Sequence, residues 1–106
     1  MAAAGSSLEH IQALSSILQT LEDHGILLES YEYDAGCFGG SVVILARGHA
    51  KARFIYNDKS SVLGVEHLKV QGADGAGSWV HDAYIQVPDQ CSVYAEICSN
   101  AMAMLR

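Results

Sequence analysis

The sequence predicts an α+β fold, in which an antiparallel sheet of about five strands lies between an N-terminal and a C-terminal helix. Apolar residues recur at helical spacing at both ends of the chain, and short segments rich in Val, Ile and aromatic residues lie between them. The chain has 106 residues, half of them hydrophobic and only 17% charged, which indicates one folded domain over residues 1–106. We expect residues 1–6 to be flexible.

The first helix is predicted from a capping pattern and an apolar stripe. Ser6 and Glu9 have the spacing of a capping box at a helix start. Gly25 supplies the residue that ends a helix in a left-handed conformation. The apolar positions between them, in steps of three and four, are Leu8, Ile11, Leu14, Ile17, Leu18 and Leu21.

Five strands are predicted between the helices, joined by turns rich in Gly, Asn and Asp. They span residues 26–33, 41–47, 51–56, 61–70 and 79–87. We expect the second strand to be buried on both faces, because it is apolar at nearly every position. In the last strand, simple alternation places Trp79, His81, Ala83, Ile85 and Val87 on one face, and the tryptophan indicates that this face is the inner one.

The second helix follows Pro88, which ends the last strand, and Asp89, which can cap the helix. Its apolar positions at helical spacing are Val93, Tyr94, Ile97, Cys98, Ala101, Met102 and Leu105. The predicted order is α-β-β-β-β-β-α, with both helices packed on one face of the sheet.

Cysteine usage and hydropathy favour a cytoplasmic protein. Cys37, Cys91 and Cys98 are odd in number and contain no Cys-x-x-Cys pair, which indicates reduced thiols. No apolar run approaches the ~20 residues of a spanning helix, and no signal-peptide pattern is present. No nucleotide-binding or metal-ligand motif occurs, so we predict neither a cofactor nor a bound metal.

Charge is distributed unevenly along the chain, whose net charge is −6. Residues 1–46 contain six acids and no Lys or Arg, and five of the six basic residues lie between Arg47 and Lys69. The net charge disfavours nucleic acids and anionic membranes as partners.

The first functional hypothesis is a non-enzymatic protein-interaction module, such as an inhibitor, an immunity-type protein or a chaperone. An acidic face would bind a basic protein by charge complementarity, and tyrosines would anchor the interface. A second copy of the chain is an alternative partner. The predicted partner-binding residues are Glu22, Asp23, Glu29, Tyr31, Glu32, Tyr33 and Asp34.

Two alternatives use other residues. A nucleic-acid or anion-binding domain would use the basic strands, with Phe54 and Tyr56 available for stacking and with Arg47, Lys51, Arg53 and Lys59 as the anion-binding residues. A small enzyme would use Cys37 or a histidine. His67 and His81 could face each other across neighbouring strands, near Asp82 or Glu66, which would be the start of a metal site.

Overall fold

The computed structural model describes residues 2–34, 40–57, 59–70, 77–87 and 90–105. The elements are α1 (Ala2–Asp23), β1 (Leu27–Asp34), β2 (Gly40–Arg47), β3 (Ala50–Asn57), β4 (Val62–Val70), β5 (Gly77–Gln86) and α2 (Gln90–Met104). The strands form one antiparallel sheet in the order β1-β2-β3-β4-β5. The predicted fold class and element order are therefore confirmed. Neither described helix combines the length and apolar character needed to span a membrane.

Helix α1 ends as predicted but begins earlier. The N–H groups of Gly25 and Ile26 donate to the carbonyls of Glu22 and Leu21, and Gly25 has a φ of 78°. This is a Schellman ending, in which glycine adopts the left-handed conformation without a steric penalty. The predicted start at Ser6 is wrong, because the helical backbone already begins at Ala2. The flexibility of residues 1–6 stays a prediction.

The middle strand, β3, divides the sheet into two faces. Ala52, Phe54 and Tyr56 are buried, whereas Arg53 and Ile55 point to the opposite side and are partly exposed. Successive side chains of a strand point to opposite faces, so this alternation fixes the inner side of the neighbouring strands through the register. The hydrophobic core consists of Leu14, Leu21, Ile26, Val43, Leu45, Ala52, Phe54, Tyr56, Leu63, Val65, Val87, Val93, Tyr94, Ile97, Ala101 and Leu105.

Both helices pack on the inner face, because their buried residues belong to the same core as Phe54. No described element covers the opposite side of the sheet, which we call the open face. The prediction that the second strand is buried on both sides is therefore wrong. Val43 and Leu45 are buried, but Val42, Ile44 and Ala46 on the open face are only half-buried.

Each edge strand contains one extra residue that interrupts the alternation. The register skips Glu29 in β1 and Asp82 in β5, as in β-bulges. On the N-terminal side of Asp82, the residues of β5 that simple alternation would place on the inner face lie on the open face. Ala83 faces inward, opposite Val65, whereas His81 and Trp79 lie on the open face, opposite Glu66 and Leu68. The predicted placement of Trp79 and His81 on the inner face is wrong for this reason.

The two faces of β3 should differ sharply in their contribution to stability. We expect Phe54→Ala to lower the free energy of unfolding by about 3–5 kcal/mol, because it opens a cavity in the core. Ile55→Ala, the adjacent residue on the open face, should cost about 1 kcal/mol, because the side chain is 37% exposed. Urea denaturation measures both values, and equal costs would contradict the assignment of the two faces.

Candidate functional site

The strand register aligns the open face into two rows that cross the whole sheet. The first, which we call the apolar row, runs from β1 to β5 through Glu32, Val42, Ile55, Gly64 and Tyr84. The second, the charged row, runs through Ser30, Ile44, Arg53, Glu66 and His81. Residues that are 30 or more positions apart in the sequence therefore form one continuous surface.

The charged row is neutralised internally. Arg53 donates from Nε and Nη2 to Glu66 Oε1, at 2.7 and 2.5 Å. The Arg53 guanidinium carbon lies 4.5 Å from the centre of the Trp79 ring, which is the geometry of a cation–π contact. The Nδ1 atom of His81 is 4.0 Å from Glu66 Oε2. The positive charge of Arg53 is therefore compensated by a neighbouring carboxylate and an aromatic ring of the same sheet.

The apolar row contains a groove over Gly64. A Cβ atom at Gly64 would lie 3.8 Å from the Tyr84 ring, so that the ring flanks a position that has no side chain. Tyr84 is 75% exposed, and its ring centre is 4.0 Å from that of His81. The groove has a volume of about 260 Å³, and we call it the Gly64 groove. Its lining residues are Ile55, Asn57, Ser60, Val62, Gly64, Glu66, His81 and Tyr84.

The predicted acidic partner-binding residues are not brought together. Glu32 is exposed on the open face, and Glu29 is paired with Lys51 through a distance of 2.7 Å. Glu22 and Asp23 are exposed at the end of α1, in the helix layer. Asp34 ends β1, and its side chain lies outside the described residues.

The two predicted tyrosine anchors lie on the helix side of the sheet. Tyr31 and Tyr33 pair with the inward-facing Val43 and Ser41, so they point away from Glu32. Burial raises the pKa of Tyr31, and burial followed by the Tyr31 contact raises that of Tyr94 in α2. The hydroxyl oxygens of Tyr31 and Ser41 are buried, and no described group is in hydrogen-bond geometry with either of them. Tyr31 and Tyr33 are half-buried, and Tyr31 packs against the core, so the tyrosines and Glu32 do not share one surface.

The basic residues of the anion-binding alternative do not form a patch either. Arg47 donates from Nη1 to the backbone oxygen of Leu105, 3.1 Å away, at the end of the helix layer. Lys51 and Arg53 lie on the open face in ion pairs with Glu29 and Glu66. Lys59 lies in the turn between β3 and β4, at the far end of the sheet.

The histidines of the metal hypothesis lie on opposite faces. His67 pairs across β4 and β5 with Asp82, with Nδ1 to Oδ distances of 2.8 and 2.9 Å, whereas His81 is on the open face. Within the described part of the chain, no three His, Cys, Asp or Glu side chains are placed to hold a metal ion.

The structure describes only some of the residues named for the enzyme alternative. His67 and Asp82 line a cavity of about 350 Å³, whose described lining includes no Ser, Thr or Cys that could act as a nucleophile. Cys98 is free and half-buried, with its Sγ 3.9 Å from the sulfur of Met102. Cys37 lies outside the described residues.

In comparisons with known proteins, no family model, curated protein or solved structure matches this chain.

The sequence analysis named Glu66 and His81 of the Gly64 groove only as metal-site candidates and did not single out Gly64 or Tyr84. Gly64 and Tyr84 lie 20 positions apart, and they meet only because β4 and β5 pair in one register. The one available signal was the alternation of each strand, which the bulge at Asp82 reverses.

The half-buried ion pair of the charged row should contribute more to stability than the exposed pair beside it. We expect a coupling energy of about 1–2 kcal/mol between Arg53→Met and Glu66→Gln in a double-mutant cycle, because both side chains are mostly buried. The Lys51–Glu29 pair is more exposed, and its coupling should stay below about 1 kcal/mol. Urea denaturation of the two cycles gives both values, and the reverse ranking would argue against the described geometry.

The raised pKa of Tyr94 should make the protein less stable at alkaline pH. The unfolded chain loses this proton near the ordinary tyrosine pKa of about 10, whereas the folded protein still holds it. The stabilisation is complete below pH ~10 and is lost as the pH rises further, by on the order of 1 kcal/mol per pH unit. Tyr94→Phe should therefore show a shallower decline between pH 9 and pH 11 (roughly the range that brackets the free pKa) in urea denaturation. An unchanged slope would rule out this contribution.

Proposed function

We propose that the chain is a non-enzymatic protein-interaction module that binds a basic partner through the open face of its sheet. The observation that carries the proposal is the apolar row, because it places Val42, Ile55 and Tyr84 in one line, with Gly64 between the last two, on a face that no described element covers. Tyr84 is 75% exposed, the highest value among the exposed large apolar side chains of the described residues, and Ile55 is 37% exposed.

The composition and size of the open face suit a protein partner. Trp, Tyr and Arg are the residue types that most often dominate interface energies, and Trp79, Tyr84 and Arg53 lie together here. Five strands spaced by about 4.8 Å and roughly eight residues long give a projected area of about 500 Å². This approaches the ~800 Å² per partner of an ordinary specific interface.

Charge supports a basic partner. The basic side chains of the open face, Lys51 and Arg53, are compensated by Glu29 and Glu66. Glu32 lies in the apolar row, and no described residue forms an ion pair with it. The net charge of −6 adds a long-range attraction that steers a cationic protein towards the chain.

The alternatives receive less support from the geometry. Nucleic-acid binding requires cationic side chains that follow a phosphate backbone, and the four predicted ones are separated or paired. A second copy of the chain remains a candidate partner, and sedimentation velocity of the purified protein tests it directly.

Substitutions on the open face should weaken the binding of the partner. The tagged chain is used to capture proteins from a lysate of its own source, and the captured protein is identified and purified. We expect Ile55→Glu to weaken its binding at least tenfold, because a charge would be buried in the interface, and Glu32→Lys to weaken it several-fold. Calorimetry measures the affinities.

The matched control is Glu22→Lys, which makes the same charge change at an exposed position in the helix layer. It should leave the affinity within about twofold, the level of a screened charge outside the interface. Equal losses in Glu22→Lys and Glu32→Lys, with no effect of Ile55→Glu, would place the binding surface elsewhere and overturn the proposal.

A further inference from the structure

We infer that the Gly64 groove is the receptor for a lysine or arginine side chain of the partner. This inference rests on the proposed function and assigns the chemistry of its central contact. The groove combines a floor without a side chain, an aromatic wall and a carboxylate, and each of these matches one part of a long cationic side chain.

The floor and walls suit an aliphatic stem. Gly64 is buried at the bottom of the groove between Ile55 on β3 and Tyr84 on β5, and Val62 extends the apolar lining towards the β3–β4 turn. The methylene groups of lysine and arginine cover such apolar surface while their charged ends reach a polar group. The exposed ring of Tyr84 can in addition attract a cation through its face.

Glu66 offers the cationic end one carboxylate oxygen as a hydrogen-bond acceptor, although Arg53 already compensates the charge of that carboxylate. Glu66 is the charged residue of the lining, and Lys and Arg side chains are absent from the described residues that line it. Arg53 binds Oε1 of Glu66 and stacks on Trp79, outside the groove. No hydrogen bond from a described residue to Oε2 is present, and His81 Nδ1 lies 4.0 Å from it. This oxygen is therefore available to a partner's ammonium or guanidinium group.

The test uses blocked tripeptides, acetyl-Gly-X-Gly-amide, with arginine, lysine, norleucine or glutamate at X. Each is titrated into the isotopically labelled full chain, and the backbone amide signals are followed by NMR. We expect the arginine and lysine peptides to shift the signals of Ile55, Gly64, Glu66 and Tyr84, with affinities on the order of millimolar for so small a ligand. Norleucine, which has the stem without the charge, should bind at least fivefold more weakly, and glutamate should bind more weakly still.

Gly64→Ala is the variant that closes the groove. A Cβ atom there would lie 3.6 Å from the backbone oxygen of Ile55 and 3.8 Å from Tyr84, which is ordinary contact, so the chain should still fold. The methyl group would occupy the space of the stem, and we expect arginine-peptide binding to fall at least fivefold. Ser30→Ala, on the same face but outside the groove, is the control and should bind like the parent.

Three results would overturn the inference: equal binding of the norleucine peptide, arginine-peptide shifts that avoid the groove, or unchanged binding in Gly64→Ala. Its failure is distinguishable from that of the proposed function. Ile55→Glu could abolish partner capture while the arginine peptide leaves the NMR signals of the groove residues unchanged. In that case the proposed function holds, and the inference that the groove receives a cationic side chain fails. If the peptide binds in the groove but Ile55→Glu captures normally, the proposed function fails.

Discussion

The alternation of side chains along β3 is the constraint on which the rest of the structure depends. Phe54 points into the core and Arg53 and Ile55 point out of it, and β3 is paired on both sides. The register transmits this choice to β2 and β4, and a shift by one residue would turn every side chain over. Two helices provide enough apolar surface to cover one face of the sheet, so the other face must be stable in contact with solvent or a partner.

The open face meets this requirement by pairing its own charges. Arg53 is held by Glu66 on the neighbouring strand and by the ring of Trp79, and Lys51 reaches across β2 to Glu29. These contacts hold the charged side chains against the sheet. Ile55 and Tyr84 of the apolar row are therefore more exposed than Arg53 and Glu66 of the charged row. The same arrangement explains why the basic segment of the sequence does not become a basic surface.

The sequence contains enough information for the fold but not for the surface. The apolar steps of α1, the left-handed position of Gly25 and the turn residues between the strands predict every element in its order, because these signals are local. The side of the sheet on which Trp79 lies depends on one extra residue, Asp82, and a bulge has no reliable local pattern. Tyr31 and Glu32 are neighbours in sequence yet lie on opposite faces of the sheet. Their closeness in sequence therefore could not predict a shared binding surface.

The extra residue in both edge strands is acidic, Glu29 in β1 and Asp82 in β5, and each is bound to a side chain of its own sheet. An incoming strand would meet a kinked edge with a fixed carboxylate at the kink, which makes edge-to-edge growth of the sheet unfavourable. The two bulges therefore disfavour association of two sheets through their edges. The same feature favours an approach onto the open face over an extension of the sheet for any partner that binds as proposed.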